Sequence, residues 1–255
     1  VTAWRGRHWA LVGAVAFLAG SIAFAPAWLV GVGVQRFTDL PVRFTNAAGT
    51  VWHGAADTYL LHGDSVDPLG RLQWRFRPAR LLRGEISAAL SLRHGETRLD
   101  GIVASTGNTV ALNTLTGNVV LASYRSAVQH WLPLVPDGTV QLAASKLVLS
   151  RDAADGLLAV TLTDIAIPGV TASPLGSYAV DMKFADSAVA IDARTLRGGL
   201  QLSGSGQWQA FDSGRYEFTL TARNTTGSSL IDNIMTGVGL EPGRPTKFEG
   251  VRLLN

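Results

Sequence analysis

Past residue 36 the chain is organised by alternation of apolar and polar positions with period two. Ile86, Ala88, Leu90 and Leu92 interleave with Glu85, Ser87, Ala89 and Ser91, and Tyr178, Val180, Met182 and Phe184 interleave with Ser177, Ala179, Asp181 and Lys183. Tyr216, Phe218, Leu220 and Ala222 oppose Arg215, Glu217, Thr219, Thr221 and Arg223. Leu196, Leu200, Leu202 and Trp208 oppose Arg197, Gln201, Ser203, Gln207 and Gln209. Successive side chains of a strand point to opposite faces, so these runs predict strands with one dry and one wet face. Asp137-Gly138, Asp155-Gly156, Gly198-Gly199 and Ser213-Gly214 are turn signals between runs. The alternation slips between Ala144 and Leu147, which predicts a bulge there. No helical pattern long enough for a crossover separates the strands, so a parallel β-α-β sheet is not expected. The expected fold is mainly β: an elongated, curved antiparallel sheet, like a groove or half-barrel. Three short helices should punctuate it: Pro78–Arg83 ahead of Gly84, a turn capped by Ser123 running to Trp131 and stopped by Pro133, and a late helix from Ser229 to Gly239. Ser229 and Asp232 form a capping-box-like pair in the last of these.

The first segment breaks the pattern. From Trp9 to Val34 there is no Asp, Glu, Lys or Arg, and most positions are apolar. About twenty apolar residues span a bilayer core of roughly 30 Å. At ~1.5 Å per residue a helix from Trp9 to Trp28 covers about 28 Å, which sets the two indoles at the two membrane interfaces. Arg5 and Arg7 favour a cytoplasmic N-terminus, while Arg36 and Arg43 on the far side weaken the asymmetry. A cleaved signal peptide is the competing reading, with Ala23-Phe24-Ala25 as the cleavage site. Pro26 directly after that site, and the apolar run continuing past it, favour retention. Pro26 has no amide hydrogen and should end or kink the helix. The expected organisation is a cytoplasmic tail and transmembrane helix over residues 1–35, then one exported β-rich domain over residues 36–255.

Composition narrows the chemistry. The 255 residues are 47% hydrophobic and only 16% charged, too apolar for a disordered chain. There is no cysteine, which excludes disulfide frameworks, thiolate metal sites and cysteine nucleophiles. A net charge of +3 is too diffuse to argue for nucleic acid.

A search for catalytic constellations finds none that holds together. Gly63-Asp64-Ser65 resembles the serine block of GDS-type lipases, but such enzymes need a late Asp-x-x-His and the last histidine is His130. No G-x-S-x-G elbow is present. The histidines His8, His53, His62, His94 and His130 form no metal-binding spacing. Convergence of His53 and His62 with Asp57 and Asp64 across a hairpin is weaker than surface or turn placement. Arg71, Arg75, Arg77, Arg80 and Arg83 interleave with Trp74 and Phe76, a composition that can bind single-stranded nucleic acid. Period two instead puts the rings on one strand face and Arg75 and Arg77 on the other, a solvated basic face behind a core face. Contact of that face with anionic lipid headgroups or an acidic partner is the alternative. No catalytic residue, cofactor site or metal site is expected.

The most distinctive segment is Gly49-Thr50-Val51-Trp52-His53-Gly54, followed by Leu72-Gln73-Trp74, the Pro78–Leu82 helix and Gly84. An N-terminal apolar segment, then G-T-x-W-x-G, then L-x-W and a short Leu-Leu helix resembles the type II secretion system protein N family, also called general secretion pathway protein N. The resemblance continues through Leu132–Leu142, Pro174–Tyr178, Leu202–Trp208, Gly214–Tyr216 and the Leu230–Gly239 helix. It implies a non-enzymatic accessory in the bacterial inner membrane, facing the periplasm, that supports export of folded proteins across the outer membrane. Its partners would be other secretion components and the bilayer. Gly49, Thr50, Trp52, Gly54, Leu72 and Trp74 would then be structural family positions, and Trp9 and Trp28 membrane-interface anchors. The architecture is also similar to AsmA-like and lipopolysaccharide-transport proteins, which implies a second reading: a lipid-handling or envelope-assembly protein with an apolar groove. The two readings part on whether Tyr178, Phe184, Trp208, Tyr216 and Phe218 sit in a closed core or line an open trough.

Overall fold

A computed structural model of the chain describes residues 13–251 except 15, 19, 38–39, 63–64, 130–134, 170 and 172. Thirteen strands form one antiparallel sheet in which spatial order equals chain order. They are β1 (Val42–Gly49), β2 (His53–His62), β3 (Ser65–Phe76), β4 (Ile86–His94), β5 (Thr97–Thr106), β6 (Thr109–Val120) and β7 (Asp137–Leu149). The meander continues with β8 (Ala154–Ala166), β9 (Gly176–Ala185), β10 (Ala188–Gly198), β11 (Leu200–Trp208), β12 (Arg215–Asn224) and β13 (Pro245–Val251). β1 and β13 are the two outer strands and do not pair with each other, so the sheet is open.

The registers place the alternating apolar residues on one face throughout. Trp74 lies opposite Leu90, Leu99 opposite Gly117, Ala144 opposite Leu158, Met182 opposite Ile191, and Phe218 opposite Phe248. The predicted slip is present: β7 holds one extra residue between Ser145 and Val148, with Lys146 at φ 52°. Two turn signals are corrected. Gly156 lies inside β8 against that bulge, where an added Cβ would come within 2.6 Å of the Leu147 Cα, and the turn itself falls earlier, at residues 150–153. Gly138 lies inside β7 at a second irregularity, with φ 136°. Both glycines answer a neighbouring strand's backbone rather than a chain reversal. Leu196 is also corrected: it falls at the β10 register shift between Thr195 and Arg197 and is exposed, while Leu200, Leu202 and Trp208 keep the apolar face.

The helices are shorter than the sequence suggests. α1 spans Trp28–Phe37 and α2 spans Pro78–Leu81, with proline in the first turn and Gly84 at φ 71° beyond it. A 3₁₀ turn, Leu121–Tyr124, leads into α3, Arg125–Val128. Ser123 therefore sits inside the turn rather than at its cap. Trp131 and Pro133 lie outside the described residues. α4 spans Ser229–Gly237 with Ser228 as its cap residue and no side-chain cap bond. Asp232 accepts a bond from the Asn224 amide instead, so the capping-box reading of Ser229 and Asp232 fails.

Two clusters close the apolar face at opposite ends of the sheet. At the end bearing the β1–β2 turn, Ala27, Ala56 and Trp74 are buried with Val30, Phe44 and Phe76 around them. At the other end, Ile231 and Met235 of α4 are buried in one cluster with Leu175, Leu200, Ala222 and Leu240. The accessible surface totals 15982 Å², against about 10,800 Å² for a compact monomer of this mass. Much of the apolar face between the clusters is only half-buried.

Candidate functional site

The turn joining β1 and β2 carries the G-T-V-W-H-G segment, and it receives the chain arriving from the N-terminus. Trp52 donates its indole N–H to the Ile22 carbonyl at 2.8 Å. The Val51 amide donates to the Ala25 carbonyl at 2.8 Å, and the Ala27 amide to the Gly49 carbonyl at 3.1 Å. Pro26 forms an isolated antiparallel bridge with Thr50. The turn is self-braced, since the Thr50 amide donates to the His53 carbonyl and the His53 amide to Thr50 Oγ1.

Each glycine has a steric reason. Gly49 adopts φ 92°, and a Cβ there would lie 2.5 Å from the His53 oxygen. A Cβ on Gly54 would lie 2.6 Å from Cζ2 of Trp74, whose ring covers it. Trp74 is 3% exposed and donates its indole N–H to the Val51 carbonyl at 2.9 Å. Leu72 packs against the same cluster, opposite Ala56. Gly49, Thr50, Trp52, Gly54, Leu72 and Trp74 thus converge on one end of β1–β3.

The single long helix expected through Trp28 is corrected here. Described residues from 13 to 23 are helical and the Phe24 amide closes the last helical bond to the Gly20 carbonyl, but Ala25–Ala27 leave the helix to bond the turn, and the chain re-enters helix at Trp28. Pro26 cannot donate a helical hydrogen bond, and the turn offers its neighbours bonds instead. Among the described residues no helix is long and apolar enough to cross a membrane. Trp28 starts α1, which lies on β1 with Gly31 against Phe44, so it does not end a continuous span. Trp9 lies outside the described residues.

The five aromatic residues that separate the two readings all fall on the apolar face. Tyr178 is buried and donates its hydroxyl to the Leu200 carbonyl at 3.1 Å. Burial pushes its phenol up to about 12. Phe184, Trp208, Tyr216 and Phe218 are half-buried. Two rings lie over glycines: a Cβ on Gly206 would come within 2.5 Å of Phe218, and one on Gly250 within 2.5 Å of Tyr216. Those pairings run between facing positions of neighbouring strands and leave no signal in the alternation of either strand.

The polar face of β3–β5 carries Arg71, Arg75, Arg93 and Arg98, as period two requires, whereas Arg77 is corrected: it lies past the end of β3 as the residue that precedes α2, with Arg80 inside α2 and Arg83 after it. Arg71, Arg93 and Arg98 stand directly opposite one another on β3, β4 and β5. Of these only Arg71 has an ion pair among the described residues, to Asp57 at 3.2 Å. A shallow groove of 390 Å³ on the same face is lined by His53, Gln73, Arg75, Ser91 and Asp100 among others. Among the described residues no group of three His, Cys, Asp or Glu could hold a metal ion. Ser65 opens β3, while Gly63, Asp64 and His130 lie outside the described residues. The Asn224-Thr225-Thr226 sequon is folded into local structure, with the Asn224 amide bonded to the Ser228 carbonyl and to Asp232.

No curated protein and no solved structure matches the chain significantly. A model of the family described as type II secretion system (T2SS), protein N matches residues 41–248, which is nearly the whole sheet from the start of β1 into β13. The chain belongs to the type II secretion system protein N family, and with it to the machinery of type II protein secretion.

Proposed function

We propose that the protein is a non-catalytic inner-membrane accessory of type II secretion that supports passage of folded proteins across the outer membrane. The family match over residues 41–248 carries this reading. In it, residues 1–35 hold the cytoplasmic tail and membrane tether, and residues 36–255 stand in the periplasm, where they meet other secretion components. The exposure of the N-terminal apolar side chains supports a lipid-facing tether. Phe17 is 74% exposed and Phe24 81%, with Leu18, Ile22, Trp28 and Val32 also exposed. The G-T-V-W-H-G turn then welds the tether to the sheet and fixes the direction in which the sheet stands.

Deleting the gene tests the reading. Exported enzymes should accumulate in the periplasm, and the intact chain should restore them to the medium. Normal secretion by the deleted strain under conditions where a secretin deletion blocks it would overturn the accessory role.

One observation favours a second reading, in which a curved sheet shields acyl chains of a lipid: four of the five separating aromatics are half-buried on an open sheet. Extraction of the purified full chain should then release stoichiometric lipid, and substitution of Phe218 by Asp should lower the amount. Lipid-free protein from a strain with intact envelope would exclude it.

A further inference from the structure

The sheet ends in two edges that are finished differently. β1 carries the Pro26 bridge at its end and α1 on its face. β13 pairs with β12 on one side, and among the described residues no strand pairs with its other side. An unpaired edge is a template for another strand, and proteins usually blunt it with proline or lysine. Pro245 and Lys247 fit that habit. Glu249 is a charged edge residue as well, but an acid two residues from a lysine on the same face also gives the edge a charge complementary to that lysine.

We infer that the free edge of β13 is a self-association surface, pairing antiparallel with β13 of a second copy about a two-fold axis at Phe248. Three features select this register. Phe248 is the midpoint of Pro245–Val251, so all seven residues of the strand pair. Lys247 of each copy then faces Glu249 of the other on the polar face, and Phe248 faces its own equivalent on the apolar face. Slipping by two residues either way sets Lys247 against Lys247 or Glu249 against Glu249, and slipping by one moves the apolar set to the wet face. The register is therefore both attractive in itself and isolated from its neighbours.

The local charge arrangement adds to this. Within one copy Glu217 and Glu249 are directly opposed, and the single ammonium of Lys247 serves both, at 3.1 and 3.2 Å. In the paired register each Glu249 gains a second lysine neighbour, Lys247 of the other copy, and each Lys247 a second Glu249. The interface is isologous, as closed dimers require, and it joins the two apolar faces into one surface. Copies tethered in one membrane meet this way when the two-fold axis runs along the membrane normal.

The chain has no cysteine, so introduced thiols report alone. Opposed residues of an antiparallel pair have Cα atoms about 4.5–5.5 Å apart, within disulfide reach. In the full chain held in detergent, oxidised Phe248→Cys should run at twice 27.0 kDa, while Thr246→Cys and Gly250→Cys stay monomeric. Phe248 packs against the α4 cluster, so a second set avoids the core. Lys247→Cys mixed with Glu249→Cys should give a disulfide-linked heterodimer, and neither alone a homodimer. Both side chains are exposed. In the cysteine-free chain, Lys247→Glu should lose the dimer and Lys247→Glu with Glu249→Lys should regain it; the double variant keeps a base beside Glu217. Absence of the mixed heterodimer, equal cross-linking at 246, 248 and 250, or a double variant that stays monomeric would each overturn the inference.

Discussion

At the β1–β2 end the apolar face is closed by chain that arrives from outside the sheet, Ile22–Ala27 and α1, and Ile22–Ala27 are held to the turn by three hydrogen bonds, one from the Trp52 indole and the two backbone bonds that make the Pro26–Thr50 bridge. At the opposite end it is closed by α4, which comes only a few residues after β12, is tied to the end of that strand by the Asn224 amide through Ser228 and Asp232, and lies over the face by packing of Ile231 and Met235 on Leu200 and Ala222. Directional bonds fix the angle at which a segment leaves a surface, whereas apolar packing fixes only that it stays. The first arrangement suits a joint that must transmit orientation, and the second suits a lid over the end of an apolar face.

Truncation should separate the two ends. Trp74→Ala removes a buried ring, the cover over Gly54 and the indole bond to Val51, so it should cost about 3–5 kcal/mol in urea unfolding. It should also expose residues 22–27 to protease at urea concentrations where the sheet persists. Met235→Ala, at the α4 end, should cost about 2–4 kcal/mol and leave residues 22–27 as protected as in the parent. Equal release of the N-terminal segment by both substitutions would break the distinction between joint and lid.

Tyr178 sharpens the comparison from the α4 side. Its phenol is held protonated up to about 12 in the fold, from an ordinary value of 10.0. Below pH 10 both folded and unfolded chains carry the proton, so the contribution is intact. As pH rises from 10 towards 12 the unfolded chain ionises first and stability falls, by roughly 2–3 kcal/mol in total. Tyr178→Phe should abolish that component of the alkaline loss, read as unfolding midpoints across pH 9–12. The smallest effect is expected from Trp52→Phe, which keeps a ring and deletes one indole bond, about 0.5–1.5 kcal/mol. Its signature should be faster cleavage within residues 22–27 with the urea midpoint of the sheet almost unmoved.

Much of the sheet was legible because its information is local. A strand's side chains alternate whatever its neighbour is, so Ile86–Leu92, Tyr178–Phe184 and Tyr216–Ala222 could be assigned to faces without a partner, and the slip at Ala144–Leu147 marked its bulge. Glycine misled where its cause lay elsewhere. Gly138 and Gly156 look like turn residues but accommodate the strand beside them. Leu196 looked like a core residue because a register shift carries no sign in composition. At the motif, the sequence marked Gly49–Gly54, Leu72 and Trp74 as distinctive, yet nothing in it said that the turn would bond Ile22, Ala25 and Ala27. The long apolar run concealed its own interruption for the same reason: Pro26 announced a break, and only the turn's acceptors and donors decided that the chain leaves the helix altogether.

The sequence by itself determined that this is an antiparallel β protein without cysteine chemistry, with one apolar and one polar face, an apolar N-terminal segment and the motifs of its family. Those properties follow from residue type and period along a single chain. Only the tertiary structure decided that the meander stays open, that three arginines and a lone lysine between two glutamates line up across its strands, and that each end of the apolar face has its own closure. Register, edge and closure are relations between one segment and another, set by cross-strand hydrogen bonds and by the ring that fits over a given glycine, and the period of a single strand does not encode them.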